Sequence, residues 1–194
     1  MIDLNSYTKE VIGGNVYYML PGLSVHIKTI SRLSRKFNVF FESTNKECAV
    51  YTEGLEVYLD PEDKENYVVP DLSIICDNSK FIERGYNGAP ELIVEVLSAK
   101  TAKKDKEDKE DKLLAYEKFS VKEYWIVDIK NKSIEQRILV NGKYKLENYV
   151  VVMNKAEYNK LTEEEKNSYT TKIKPSLFPD LEIDLNQLFD FSKL

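Results

Sequence analysis

Glu95 is an acid in an otherwise apolar stretch, with apolar residues at the two positions on either side of it. Residues 91–98 have the composition of a short buried strand. Burying an unpaired carboxylate is costly, so a charged glutamate there needs a cation, a strong donor or a cavity beside it. We therefore consider Glu95 a candidate site residue. A partly exposed acid paired with a lysine is the plainer alternative.

Asp71 stands at the start of a second apolar strand, predicted over 68–76. If the two strands are neighbours, both carboxylates can reach one hard cation, which prefers oxygen ligands. Pro70-Asp71 followed by Glu95 matches the PD…(D/E)xK pattern of metal-dependent nucleases, although Leu97 occupies the place of the lysine. The alternative for Asp71 is a solvated acid at a sheet edge.

The surrounding pattern predicts the elements that position these acids. Residues 7–20 indicate a β-hairpin, and Ser24 is a plausible cap for an amphipathic helix over 24–38. A helix is predicted over 101–119. Further strands are expected at 39–42, 48–52, 55–59, 122–128, 133–140 and 143–151.

Strand, helix and strand across 90–129 make a crossover unit, which implies parallel pairing, whereas the hairpins imply antiparallel pairing. The expected class is therefore α/β (α+β), with a mixed sheet. Alternation places Glu95 on the face of Ile93 and Leu97, and Leu72, Ile74 and Cys76 on one face of their strand.

Composition limits the class of protein. The chain has 194 residues, 42% hydrophobic and 31% charged, which predicts one soluble domain over 1–194. Residues 153–170 are polar enough for a surface helix or insertion, and the apolar tail from Ile173 is expected to pack back on the body. No membrane span or secretion signal is recognisable, so a cytoplasmic protein is expected.

The net charge and the two cysteines bear on nucleic-acid binding and on disulfide or zinc sites. The net charge of −5 argues against a protein that coats nucleic acid, and eight lysines with six acids over 100–122 make only a faint basic patch. Cys48 and Cys76 lie in apolar contexts without CxxC spacing, which favours reduced core residues over a disulfide or a zinc site.

A longer set of motifs carries a family resemblance. Pro70-Asp71 is followed by Gly88-Ala89-Pro90-Glu91-Leu92-Ile93-Val94-Glu95-Val96-Leu97-Ser98, Thr101-Ala102-Lys103-Lys104-Asp105, Lys112-x-x-x-Tyr116-Glu117-Lys118 and Val121-Lys122-Glu123-Tyr124-Trp125-Ile126-Val127-Asp128. This series closely resembles the Uma-two family of restriction-endonuclease-like proteins. The resemblance implies a restriction-endonuclease-like mixed sheet flanked by helices, with Asp71 and Glu95 as the acids and the lysine moved to the following helix.

The helix offers two lysines because Asp105 to Tyr116 is three residues longer than the family spacing. Counting from Asp105 selects Lys109, and counting back from Tyr116 selects Lys112. Lys112 is favoured because it keeps register with Leu113, Tyr116 and Phe119, which should dock the helix on the sheet. A solvated, alternately charged face is the alternative for both lysines.

The resemblance implies metal-assisted phosphodiester hydrolysis. Asp71, Glu95 and the carbonyl of Val96 would hold Mg²⁺ (or Mn²⁺), and Lys112 or Lys109 would orient water or offset phosphate charge. His26 is a packing or site-lining residue, and Asp128 lines the cleft or begins a turn. The expected partner is DNA, cut by a homodimer because one cleft cuts one strand. The alternative is an inactive nuclease-fold module that binds nucleic acid or protein.

Overall fold

The computed structural model describes residues 8–19, 23–97 and 104–192, without the side chains of 19 and 104–109. Residues 7, 20 and 101–103, at the ends of two predicted elements, lie outside these ranges. The helices are α1 (Ser24–Thr44), α2 (Lys104–Lys118), α3 (Lys155–Tyr158), α4 (Glu163–Ser168) and α5 (Leu185–Leu188). The strands are β1 (Thr8–Ile12), β2 (Asn15–Met19), β3 (Ala49–Thr52), β4 (Glu56–Tyr58), β5 (Leu72–Ile75), β6 (Phe81–Ile82), β7 (Gly85–Asn87), β8 (Leu92–Leu97), β9 (Glu123–Asp128), β10 (Ser133–Val140), β11 (Lys143–Val151), β12 (Lys172–Ile173) and β13 (Ile183–Asp184).

Within the described residues, the largest sheet has the strand order β11-β10-β9-β8-β5-β3. β8 and β9 are parallel and are connected through α2, while the other neighbours in this sheet are antiparallel. The mixed sheet and its crossover unit are therefore confirmed. A smaller sheet, β4-β7-β6, and the β1–β2 hairpin lie outside this ladder.

Alternate residues of β8 enter two different apolar clusters. Leu92 and Val94 pack with Trp125, whereas Ile93 packs with Tyr116 and Tyr124 on the opposite face. The predicted alternation is confirmed, since side chains in a strand point alternately to the two faces. The Tyr116 face, which α2 covers, is the one that Glu95 shares with Ile93.

Helix α1 is longer than the pattern suggested, and the strand predicted at 39–42 is wrong. Phe37, Phe40 and Phe41 are all buried, so the apolar stripe continues at helical spacing. The aromatic run has strand propensity, but packing against the sheet decides its conformation. Ser24 is the first helical residue; the cap position is Leu23, which makes no side-chain cap hydrogen bond.

The prediction of reduced cysteines is also wrong, because Cys48 and Cys76 form a disulfide. In the antiparallel pair of β3 and β5, Ala49 lies opposite Ile75. Cys48 immediately precedes Ala49 and Cys76 immediately follows Ile75, so the same antiparallel register brings the two cysteines together. Sequence spacing gave no sign of this contact, since 28 positions separate the cysteines.

The C-terminal segment packs on the body as expected. Phe178, Leu181 and Leu188 belong to the cluster of α1 and the central strands. A buried acid on β9, Glu123, holds this segment: it accepts hydrogen bonds from Ser176 N (2.9 Å) and Leu177 N (3.3 Å). The same carboxylate accepts hydrogen bonds from the side chains of Trp125 and Gln136 (both 2.6 Å).

The polar segment 153–170 contains α3 and α4, each begun by a capping box in which a side chain and a backbone amide bond reciprocally. Neither helix has a buried residue. Among the helices of the described ranges, none is long and apolar enough to cross a membrane.

Candidate active site

Asp71 immediately precedes β5 and faces both β8 and the start of α1. Its Oδ2 accepts a hydrogen bond from Val96 N (2.7 Å), and its Oδ1 lies 3.2 Å from His26 Nε2. The pairing of β5 with β8 matches Leu72 to Val94, so it draws Asp71 to the level of Glu95. The two predicted acids therefore do lie on neighbouring strands.

Glu95 lies on β8 beneath α2 and is 9% exposed. Its Oε1 lies 3.0 Å from Lys112 Nζ and accepts a hydrogen bond from the Tyr116 hydroxyl (2.7 Å). Lys112 and Tyr116 are four residues apart, so they lie on one face of α2. No hydrogen bond from the described residues reaches Glu95 Oε2.

Lys112 is almost completely buried, with 3% exposure, and lies between two acids. The second is Glu10 on β1, whose Oε2 lies 3.0 Å from Lys112 Nζ. Glu10 is fully buried, and its Oε1 accepts a hydrogen bond from Val69 N (2.6 Å). Sequence analysis did not select Glu10. A signal was present, because Glu10 shares a strand face with the apolar Ile12.

The buried acids affect one another's protonation. Burial raises the pKa of Glu95 to about 8; Lys112 opposes this rise, and the negative charges of Asp71 and Glu10 add to it. Burial and the charge of Glu95 also raise the pKa of Tyr116, which favours its neutral, hydrogen-donating form. Such a concentration of acid is costly unless a proton or a cation balances it.

On the other side of Asp71, His26 and Glu53 complete a second group of possible ligands. Their ligand atoms and that of Asp71 all lie within 4.8 Å of one another. His26 is buried, and although burial lowers its pKa, the hydrogen bond and charge of Asp71 raise it overall. Glu53 was not predicted; its carboxylate lies 3.8 Å from His26 Nε2 and is 53% exposed.

This donor set suits a divalent cation. Carboxylate oxygens are the ligands that Mg²⁺ and Mn²⁺ prefer, and an imidazole is compatible with several divalent metals. The residues therefore fit a metal ion at Asp71.

The remaining predicted residues have different surroundings. Asp128 ends β9, and its carboxylate accepts hydrogen bonds from Asn131 N (3.0 Å) and Asn131 Nδ2 (2.7 Å), so it holds the turn to β10. Val96 contributes its N–H to Asp71. Lys109 lies in α2, but the structure does not describe its side chain.

A comparison with models of known protein families gives one match. Residues 3–168 match the model of Uma2, described as "Putative restriction endonuclease". The chain belongs to the Uma-two family. No curated protein matches.

This Uma-two chain also resembles a solved structure, described as a putative nuclease of DUF820 from Anabaena variabilis. The two share 16% sequence identity and superpose with a TM-score of 0.63, over 93% of this chain and 89% of the other. At this identity the likeness concerns the fold. It confirms the expected mixed α/β architecture with a sheet flanked by helices.

Proposed function

We propose that the protein is a metal-dependent endonuclease that hydrolyses phosphodiester bonds of DNA. The observation that carries the proposal is the placement of Asp71 and Glu95 at the same level of the sheet, with Lys112 against Glu95. Asp71 immediately precedes β5, Glu95 lies on the paired strand β8, and Lys112 Nζ is 3.0 Å from Glu95. Membership of a family described as restriction endonucleases supports the same reaction class.

In this proposal Asp71, Glu95 and the carbonyl of Val96 hold Mg²⁺ or Mn²⁺, and His26 lines the site. When bound, the cation polarises the phosphate and lowers the pKa of the attacking water. The hydrogen bond from Val96 N fixes the Asp71 carboxylate against β8. Lys112 offsets the charge that develops on the phosphate as the P–O bond breaks, or it orients the water.

Tyr116 has a supporting part in the proposal. Its hydroxyl donates to the Glu95 oxygen that also contacts Lys112, so it orients that carboxylate. The other Glu95 oxygen can then turn toward the cation. A homodimer, with two sites on one duplex, is the assembly we propose for cutting both strands.

The test is cleavage of supercoiled plasmid and of single-stranded DNA with Mn²⁺, by wild type and by the Asp71→Asn, Glu95→Gln and Lys112→Met variants. The expected result is cleavage by wild type and its loss in all three variants. A matched control is Lys143→Met, because Lys143 pairs with Glu117 away from the site. Equal cleavage by wild type and Asp71→Asn would refute the proposal.

One observation favours the alternative of an inactive binding module. The overall charge is −5, so the chain lacks the excess of positive charge typical of proteins that bind long stretches of phosphate backbone. Wild-type protein that leaves DNA uncut, under conditions in which Mn²⁺ is bound, would support this alternative.

A further inference from the structure

Glu10 is a buried acid that the proposed chemistry does not use. It comes from the N-terminal hairpin, whereas the other residues around Lys112 come from β8 and α2. It makes contacts on both carboxylate oxygens, with Val69 N on one side (2.6 Å) and Lys112 Nζ on the other (3.0 Å). Val69 lies two residues before Asp71, so Glu10 links the hairpin to both halves of the site.

The arrangement divides one ammonium group between two carboxylates. Lys112 Nζ lies 3.0 Å from Glu10 and also 3.0 Å from Glu95, and all three residues are buried. A lysine has three N–H donors and can serve both acids at once. Glu95, however, cannot give its full charge to a cation while a buried ammonium competes for it.

We propose that Glu10 is a positioning residue that retains Lys112 when Glu95 binds a divalent cation. This inference rests on the proposed function. Glu10 keeps a buried negative charge on the side of Lys112 away from the cation, so the ammonium stays within the site without pairing fully with Glu95. With a neutral residue at position 10, Lys112 would turn to Glu95 and weaken metal binding.

The fold supports a fixed position for Glu10. Backbone hydrogen bonds join Val11 and Tyr67 in both directions, at 2.9 and 2.8 Å. They hold β1 beside the segment that leads to Asp71. The Tyr17 hydroxyl on β2 also donates to Asp111, the neighbour of Lys112 on α2. The hairpin therefore contacts α2 and the segment that leads to Asp71 at several points, and the buried Glu10 makes one of these contacts.

The experiment measures Mn²⁺ affinity by calorimetry for wild type, Glu10→Gln, Lys112→Met and the double variant. Glu10→Gln keeps the shape and removes the charge, and we expect a loss of about 10–100-fold, the range for residues that support metal ligands. In the Lys112→Met background the same change should cost several-fold less, because the competing ammonium is gone. The matched control is Glu117→Gln, an acid on α2 that pairs with Lys143; it should leave Mn²⁺ affinity unchanged.

An equal loss in both backgrounds would overturn the proposal, since Glu10 would then act through its own charge or through the fold. Unchanged affinity in Glu10→Gln would overturn it as well, while loss of Mn²⁺ binding in Asp71→Asn would still uphold the proposed metal site. Absence of Mn²⁺ binding in wild type would refute both.

A second measurement covers the case in which Lys112→Met fails to fold. Nitrogen NMR of lysine-labelled protein, with saturating Mg²⁺, reports whether the Lys112 ammonium is protected from exchange with water. We expect a protected Lys112 signal in wild type and in Glu117→Gln, and a changed environment in Glu10→Gln. The same Lys112 signal in Glu10→Gln as in wild type would overturn the proposal.

Discussion

Lys112 Nζ lies 3.0 Å from Glu95 Oε1, although the strand and the helix that carry them are separate elements. The lysine of the PD…(D/E)xK pattern would have come two residues after the acid on the same strand, where this chain has Leu97. A side chain from α2 reaches the acid instead, because the helix crosses the sheet face on which Glu95 lies. The contact depends on where α2 crosses the sheet, and not on the two-residue spacing of the PD…(D/E)xK pattern.

Replacing a proposed metal ligand should weaken metal binding without unfolding the protein. Asp71→Asn and Glu95→Gln keep size and hydrogen-bonding shape, so both proteins should fold. Each should weaken Mn²⁺ binding by at least about 100-fold, beyond the upper range for residues that only support ligands. Calorimetry measures the affinity, and circular dichroism in chelator checks the fold. Full Mn²⁺ affinity in both variants would remove these acids from the site.

The two candidate lysines should differ in their effects on cleavage. Lys112→Ala should reduce the rate by about 10²–10³-fold, as for loss of one electrostatic stabiliser. Lys109→Ala should cost less, because Lys109 lies about one turn nearer the start of α2. The assay is plasmid cleavage with Mn²⁺ by each single variant and the double variant. Full activity in the double variant would exclude a lysine on this helix.

The disulfide should contribute to stability. The cysteines are 28 positions apart. A cross-link that closes a loop of this length lowers the entropy of the unfolded chain, which raises the free energy of unfolding by about 3–4 kcal/mol. Adding a dithiol reductant should therefore lower the free energy of unfolding by about that amount in urea titrations. Cys48→Ser/Cys76→Ser should match the reduced protein and should not respond to the reductant. A wild-type protein indifferent to the reductant would show that the bridge does not stabilise it.

The buried acid Glu123 should make the free energy of unfolding depend on pH. Burial raises its pKa above the unfolded value, although the hydrogen bonds of Gln136, Trp125, Ser176 and Leu177 oppose the rise. At low pH both states are protonated. As pH rises past about 4.3, the unfolded chain loses this proton first, so the contribution to the free energy of unfolding falls until the folded pKa is passed.

The measurement is urea unfolding of wild type and Glu123→Gln from pH 4 to pH 7. The stability of wild type relative to Glu123→Gln should decline with rising pH, because only wild type carries the titrating group. Glu165→Gln serves as the control, since the pKa of this exposed capping acid is lowered by its bonds to Thr162, which gives the opposite slope. A rising difference for Glu123 would mean that its four donors outweigh burial.

The sequence was sufficient for the elements whose signal is local. The antiparallel pairing of β10 with β11 and the alternation in β8 follow from residues that are neighbours in the chain. The two acids, Asp71 and Glu95, could also be selected, because a carboxylate among apolar residues is visible without coordinates. Helix α1 was partly misassigned because aromatic residues suit both helix and strand, and only packing decides between them.

The tertiary structure decided what depends on distant segments. Glu10 and Glu53 join the candidate site through β1 and the turn after β3, and neither lies near Asp71 or Glu95 in sequence. The disulfide likewise follows from the pairing of β3 with β5. The pattern of apolar and polar residues indicates which positions of a segment are buried. The order and register of the strands decide which residues those buried side chains contact. For this reason Asp71 and Glu95 could be selected from the sequence, whereas Glu10 and Glu53 were not.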